Sequence, residues 1–293
     1  MLQINHLLCL APTRSPSVSA ALRHAAYLAC SLGATLHLVP VGEPDRAGWT
    51  DALRAAAPDD GGALALQIEA PLDDPDAPVP ALRAYEQTHD VDLVVTATPA
   101  DRGPTPPAAD PSTRALLYGL ASSVLVVGAH APPPPRSILV PTDLSEHARC
   151  ALDYATTLAA PSDAAIDLLH VIEAVPYVAL TRMDRLSFSG PSFPERRARR
   201  HLDAFLDTIP DAPASITPHF EFGDPADQIV RFADRHEVDL VVLSARGGGT
   251  PSPSSPGPVA ERVLRRATCP VLLARTSAPD EEAPSNGSSA PPM

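Results

Sequence analysis

The sequence predicts an α/β protein made of two doubly wound domains, each with a five-stranded parallel sheet. Short apolar runs alternate with amphipathic helical stretches along the chain, which is typical of strands joined by right-handed crossover helices. The tetrapeptide Asp-Leu-Val-Val occurs at residues 92–95 and again at 239–242, an offset of 147 (239 minus 92). The same offset relates the apolar runs at 124–126 and 271–273. An internal duplication explains both repeats most simply.

The first half of the chain is expected to hold five strands, at residues 6–10, 35–39, 64–68, 92–95 and 124–127. Helices are predicted between them at residues 18–32, 50–57, 80–89 and 112–120. The first of these helices has apolar side chains at helical spacing, and Gly33 supplies a C-terminal stop.

The same order of elements restarts in the second half. Strands are predicted at residues 137–140, 166–171, 215–222, 240–243 and 271–273. Ser145 is expected to cap one helix, Pro194 to open the next, and Asp224 to cap a third with Pro225 as its first residue. The domains are therefore placed at 1–130 and 136–276, with a stiff Pro-rich linker at 131–135 and a disordered tail at 277–293.

The negative net charge argues against nucleic acid and anionic membranes as partners. The chain carries 22 basic and 35 acidic residues, for a net charge of −13, and all its basic side chains other than histidine are arginines. Such a surface repels phosphate backbones and anionic lipid, so neither nucleic acid nor membrane is an expected partner. The one basic cluster, residues 196–200, lies in the first turns of a predicted helix, and a solvated face is favoured there over an anion site.

Cysteine usage and hydropathy favour a cytoplasmic protein. The four cysteines are scattered without C-x-x-C spacing, which favours reduced, buried thiols over disulfides or a metal site. The ten histidines are dispersed, so no metal is expected. No apolar run approaches the roughly 18 residues of a membrane span, and the N-terminus does not resemble a signal peptide.

Residues 240–264 attract the most functional interest. They are expected to form a buried strand, a loop of small residues and the start of an amphipathic helix. This order places backbone amides at a helix N-terminus above the carboxyl end of a parallel strand, where phosphates bind in open α/β sheets.

The second half closely resembles the universal stress protein family. The resemblance rests on segments in the family's order and spacing: 138–148 (ILVPTDLSEHA), 170–171 (HV), 223–225 (GDP) with Ile229, 239–242 (DLVV), 259–264 (VAERVL) and 269–271 (CPV). It implies a Rossmann-like domain of the adenine nucleotide α-hydrolase type. The first half matches mainly in strand order and hydrophobic pattern, so the whole chain resembles the family's tandem form with one diverged copy.

The resemblance implies a site for ATP or AMP in the second domain only. ATP-binding members carry G-x-x-G, nine residues, then G followed by Ser or Thr, and Ser244, Gly247, Gly257 and Pro258 fall at those four positions. Ser244 adds a Cβ where backbone should approach the ligand, and Pro258 lacks a hydroxyl and a backbone N–H. One lost donor to a charged phosphate weakens binding by roughly 1.5–3 kcal/mol. A degenerate site is therefore expected.

Four further residues complete the predicted site. Asp143 matches the family's adenine-reading carboxylate, and capping of the helix near Ser145 is an equally good reading of it. Val171 would flank the adenine or belong to the core, and Arg246 would meet a phosphate or remain solvated. Val259 follows Pro258 at the helix N-terminus.

The first domain is not expected to bind a nucleotide. Pro12 stands at the position of Asp143, and Ala100 and Asp110 stand at the positions of Gly247 and Gly257. A carboxylate at the phosphate position would repel the ligand.

The favoured function is a non-enzymatic tandem universal stress protein in stress-linked regulation, acting with a protein partner that the sequence does not name. The resemblance implies pairing through the last strands, 124–127 and 271–274, between the two domains or in a homodimer. An ATP or AMP switch with a working site is the alternative. An enzyme of the α-hydrolase group lacks support because no H-x-G-H or S-G-G-x-D-S stretch is present.

Overall fold

The computed structural model of the chain describes residues 2–12, 16–41, 49, 53, 64–70, 78–98, 106–128, 133–173, 193–209, 216–247 and 256–276. The predicted helix at 50–57, apart from residue 53, residues 131–132 of the predicted linker and the predicted tail at 277–293 lie outside these ranges.

Within the described residues, ten strands form one sheet in the order β3-β2-β1-β4-β5-β10-β9-β6-β7-β8. They are β1 His6–Pro12, β2 Thr35–Val41, β3 Ala65–Ile68, β4 Leu93–Ala97, β5 Ser123–Val127, β6 Ser137–Thr142, β7 Ala165–Ile172, β8 Ile216–Phe222, β9 Leu240–Ser244 and β10 Val271–Ala274. We call β1–β5 with their helices the first unit and β6–β10 with theirs the second unit. Strands within each unit pair in parallel, which confirms the predicted fold class.

One antiparallel strand pair, β5 with β10, joins the sheets of the two units, and we call it the seam. Val126 lies opposite Val271, Leu125 opposite Leu272 and Val124 opposite Leu273. The two sheets therefore continue into each other, and the predicted pairing through the last strands is observed inside one chain. The domain boundaries at 130 and 136 stay a prediction.

Seven α-helices within the described residues cover both faces of the sheet. They are α1 Pro16–Leu32, α2 Pro78–His89, α3 Pro111–Gly119, α4 Glu146–Ala159, α5 Phe193–Asp207, α6 Pro225–Arg235 and α7 Pro258–Leu264. Buried side chains of α1, α4 and α5 share one hydrophobic core, and those of α2, α3, α6 and α7 share the other. Burial on both faces explains why the central strands are almost continuously apolar.

Local sequence signals set the helix starts. The Ser145 side chain accepts a hydrogen bond from the Ala148 amide and caps α4, as predicted. Asp224 caps α6 through the Asp227 amide, with Pro225 as the first helical residue. Both predicted caps are confirmed.

The repeated aspartates have one structural role in both units. Asp92 Oδ2 accepts hydrogen bonds from the Asn5 and His6 amides at 2.7 and 3.0 Å, just where β1 begins. Asp239 Oδ2 accepts from the Arg136 and Ser137 amides at 2.8 and 3.1 Å, where β6 begins. The duplicated tetrapeptide therefore marks the junction of two neighbouring strands.

Candidate functional site

A cavity of about 470 Å³ opens at the carboxyl ends of β6, β7 and β9, beside the first residues of α6 and α7. Its volume lies within the range of roughly 300–1,000 Å³ that is usual for small-molecule sites. All eight residues of the predicted site line it: Asp143, Val171, Ser244, Arg246, Gly247, Gly257, Pro258 and Val259.

Asp143 lies between the end of β6 and the start of α4. Its Oδ1 accepts hydrogen bonds from the Ser145 amide at 3.0 Å and the Ser145 hydroxyl at 2.6 Å. Leu144 adopts a left-handed conformation with φ 64°, which turns the chain sharply into the helix. Ser145 is thus the cap, and Asp143 orients the capping hydroxyl while its own carboxylate borders the cavity.

Gly247 approaches the second oxygen of this carboxylate. A Cβ added to Gly247 would lie 2.8 Å from Asp143 Oδ2, closer than a real Cβ contact. The absence of a side chain at Gly247 therefore lets the loop after β9 pass directly beside Asp143.

Ser244 ends β9, and its hydroxyl is directed at α4. The hydroxyl donates a hydrogen bond to the His147 carbonyl oxygen at 2.9 Å and accepts one from the Arg246 amide at 3.3 Å. Ser244 therefore joins the end of β9 to the first turn of α4 and holds the backbone leading to Arg246.

The N-terminus of α7 has no side-chain cap. Gly257 is the N-cap residue and offers no side-chain acceptor, while its own amide donates to the Ala245 carbonyl at 2.9 Å. Pro258 occupies the first helical position, where proline is well tolerated because its φ suits the helix. The first-turn amides of Val259 and Ala260 are the backbone donors that a helix leaves at this end.

Sequence reasoning missed several lining residues: Pro141, Thr142, Glu173, His170, Pro225 and Ile229. Thr142 and His170 are register partners at the ends of β6 and β7, and His170 Nδ1 donates to the Thr142 carbonyl at 2.9 Å. Adjacent parallel strands bring their carboxyl ends together, so the residues flanking Asp143 and Val171 could have been found from strand register alone.

Comparisons with known proteins identify the family that the second unit matches. The model of the family described as "Universal stress protein family" matches residues 135–275. The second unit belongs to the universal stress protein family.

Curated universal stress proteins match about half of the chain. One from Methanocaldococcus jannaschii is 27% identical over 161 residues, covering 55% of this chain and 92% of the relative. One from Methanothermobacter thermautotrophicus is 29% identical over 143 residues, covering 48% of this chain and 96% of the relative.

Solved structures match the whole architecture. A protein of unknown function from Pseudomonas aeruginosa PAO1 has a TM-score of 0.66 at 18% identity, covering 93% of this chain and 92% of its own. A universal stress protein from Archaeoglobus fulgidus has a TM-score of 0.60 at 16% identity, covering 92% of this chain and 98% of its own. At these identities the likeness establishes the two-unit fold.

The first unit of this tandem fold differs at the matching helix. Asp110 is the N-cap of α3, and its Oδ2 accepts hydrogen bonds from the Thr113 amide at 2.8 Å and the Thr113 hydroxyl at 3.1 Å. Pro12 ends β1 at the place of Asp143, and Ala100 lies outside the described residues. The carboxylate predicted at the phosphate position is therefore engaged in capping its own helix.

Three other groups singled out in the sequence are the possible metal ligands, the cysteines and the basic cluster at 196–200. Among the described residues, no three His, Cys, Asp or Glu side chains gather in a metal-binding arrangement. Burial raises the pKa of the Cys9 and Cys150 thiols to about 12, so both stay protonated at neutral pH. In the basic cluster, the Arg199 guanidinium lies 5.5 Å from the centre of the Phe220 ring.

None of the described helices is both long and apolar enough to cross a membrane.

Proposed function

We propose that this tandem universal stress protein is a non-enzymatic regulator in the stress response, and that its second unit binds an adenine nucleotide, ATP or AMP, at a weakened site. The observation that carries the proposal is the cavity of about 470 Å³ around which all eight predicted residues meet. In this proposal the first unit binds no nucleotide, and a protein partner reads the state of the second unit.

Each lining residue has a role that its chemistry suits. Asp143 accepts hydrogen bonds from the base or ribose end of the ligand, and Val171 packs against the adenine ring. At the other end, the Arg246 guanidinium faces a phosphate. Gly247 and Gly257 let backbone amides come close to it, and the Val259 amide donates from the first turn of α7.

The weakness of the site is attributed to Pro258. A hydroxyl and an amide at this position would both point to the phosphate end, and proline supplies neither. Losing one donor to a charged group costs roughly 1.5–3 kcal/mol, which is about one to two decades in affinity. Ser244 contributes less to the weakness because its hydroxyl is bonded to α4.

Isothermal titration with ATP and AMP tests the proposal. We expect weak binding by the natural chain, at least tenfold tighter binding by Pro258→Ser, and loss of binding in Asp143→Ala. Asp143→Asn serves as the control that keeps an acceptor for Ser145. Absence of binding in both the natural chain and Pro258→Ser would refute a nucleotide site, and phosphate release above background would refute the non-enzymatic role.

A working ATP or AMP switch is the second candidate. It is favoured by the orientation of Ser244. Its hydroxyl donates to the His147 carbonyl oxygen, so the serine does not leave an unbonded polar group facing the ligand. Micromolar binding by the natural chain that Pro258→Ser does not improve would favour the switch over the weakened site.

A further inference from the structure

Arg275 crosses the seam immediately after β10. Its backbone amide donates to the Ser123 hydroxyl oxygen at 2.9 Å, and its guanidinium donates to the carbonyl oxygens of Ser122, at 3.2 Å, and Leu117. All three acceptors belong to the first unit, at the end of α3 and the start of β5. Burial lowers the pKa of Arg275 to about 10, which leaves the side chain charged at neutral pH.

A buried carboxylate in the first unit complements this cation. Glu86 is only 7% exposed, and its two oxygens accept hydrogen bonds from the Ala121 and Ser122 amides at 3.2 and 2.9 Å. It therefore fixes the turn whose Ser122 carbonyl Arg275 contacts. The negative charge of Glu86 also acts on Arg275, since it opposes the lowering of the arginine's pKa.

The duplication shows that this arrangement joins unlike units. The offset of 147 places Gly128 at the position of Arg275 and Ala233 at the position of Glu86. It also places Pro270, which has no hydroxyl, at the position of Ser123. Two copies of the second unit facing each other would have the arginine without the buried carboxylate and without the serine acceptor.

A short series of backbone hydrogen bonds leads from the seam to the cavity. Ala274, which precedes Arg275, accepts a hydrogen bond from the Ala245 amide at 2.8 Å. The Ala245 carbonyl in turn accepts from the Gly257 amide at 2.9 Å. Ala245 and Gly257 both line the cavity, one near the beginning and one at the end of the segment that connects β9 to α7.

We propose that Arg275 is a positioning residue for the cavity, and that the first unit has become the support that holds the cavity's backbone in place. The arginine anchors the end of β10 to the first unit, β10 fixes Ala245, and Ala245 fixes Gly257 at the start of α7. Ligand affinity in the second unit then depends on contacts made in the first. This inference rests on the proposed nucleotide site.

The first test measures, without any ligand, how well the Ala245 and Gly257 amides are protected from hydrogen exchange. In Arg275→Gln, we expect the Ala245 and Gly257 amides to exchange with deuterium at least tenfold faster than in the natural chain, because local opening at the seam releases both. Arg235→Gln is the matched control, since Arg235 pairs with Glu221 on the exposed surface and does not line the cavity. Unchanged exchange in Arg275→Gln would overturn the proposal.

The second test measures ligand affinity by titration with AMP. Arg275→Gln is expected to weaken binding about 3- to 30-fold, the usual range for coupling through a packed network, while Arg235→Gln leaves affinity unchanged. Glu86→Gln, which alters only the first unit, is expected to weaken binding less, and it carries the test if Arg275→Gln fails to fold. Equal affinity in all three variants would overturn the proposal.

The two tests separate this inference from the proposed function. If the natural chain binds no AMP, the proposed site fails, and the exchange rates alone decide whether Arg275 supports the backbone of the cavity. If the natural chain binds AMP and neither Arg275→Gln nor Glu86→Gln changes affinity or exchange, the proposed site stands and the positioning role of Arg275 is refuted.

Discussion

The helices α3 and α7 occupy the same place in the two units but begin in opposite ways. In the first unit Asp110 closes the helix N-terminus with its own carboxylate. In the second unit Gly257 leaves the N-terminus without a side-chain cap, at the wall of the cavity. A capped terminus gains local stability, whereas an uncapped one has amides to offer an anion. The two units thus use one backbone position for different purposes.

The largest expected difference between the units is in how much each contributes to the loss of stability at acid pH. His24 of α1 and Tyr154 of α4 each stand eleven residues before the next strand (35 minus 24; 165 minus 154), and both are buried. His24 Nδ1 donates to the Ala20 carbonyl, and burial lowers its pKa to about 4, while burial raises the pKa of Tyr154. Tyr154 donates instead to the Asp92 carbonyl of the first unit at 3.1 Å.

The sign of the pH effect follows from the lowered pKa of His24. Above pH 6.5 the histidine is neutral in both folded and unfolded chains, so its contribution is fully present. As pH falls from 6.5 to about 4, only the unfolded chain takes up the proton, and roughly 3 kcal/mol of stability is lost. Urea unfolding at pH 7 and pH 4 should show a smaller loss in His24→Leu than in the natural chain. Equal losses would contradict the assignment.

The next largest effect is expected when the cap of the first unit is moved to the second. Gly257→Asp introduces a carboxylate at the phosphate end of the cavity, and like-charge repulsion should reduce ATP affinity by roughly a hundredfold or more, about 3 kcal/mol. Urea unfolding should show no loss of stability, because aspartate is a good N-cap. Gly257→Asn, an equally good cap without the charge, is the control. ATP binding undiminished by the aspartate would show that the ligand does not reach this helix.

A smaller effect is expected from crowding the loop against Asp143. In Gly247→Ala the new Cβ would lie 2.8 Å from Asp143 Oδ2, so the carboxylate must shift. We expect roughly tenfold weaker nucleotide binding by titration, because this carboxylate is assigned to the base or ribose end. Gly128→Ala in the first unit is the matched control, since a Cβ there meets nothing within 4 Å. Similar affinities in the two variants would place the ligand elsewhere.

The smallest effect is expected from removing the Asp110 cap of α3 in the first unit. Asp110→Ala should lower the free energy of unfolding by about 1 kcal/mol, measured by urea, because the Thr113 amide loses its acceptor. Asp110→Asn keeps an acceptor and should be nearly neutral. Nucleotide affinity should not change in either variant. Tighter binding in Asp110→Ala would mean that the first unit has a site of its own.

Local patterns predicted the strands and helices of the described residues, and the family resemblance supplied eight residues that line the cavity. Periodicity and caps located α4 and α6, and the loop spacing placed Gly247 and Gly257 at one site. The burial of β3 was harder to foresee: it alternates like a partly buried strand, yet Leu66 and Ile68 are 36% and 52% exposed because β3 lies at the edge of the sheet.

The contacts that sequence reasoning missed are the ones between distant parts of the chain. Ser244 bonds a carbonyl 97 positions away, and Arg275 bonds acceptors more than 150 positions away. Nothing in the residues around either position signals such a partner. The direction of the Ser244 hydroxyl, in particular, depends on where the first turn of α4 lies.

The seam between β5 and β10 also determines how strand pairing responds to dilution of the protein. Two separate chains that pair through such strands come apart when their concentration falls. Here the partners share one backbone, so each meets the other at an effective concentration on the order of millimolar whatever the amount of protein in the cell. Pairing of these two strands therefore does not report protein abundance, and any signal carried across them must come from a change within the chain.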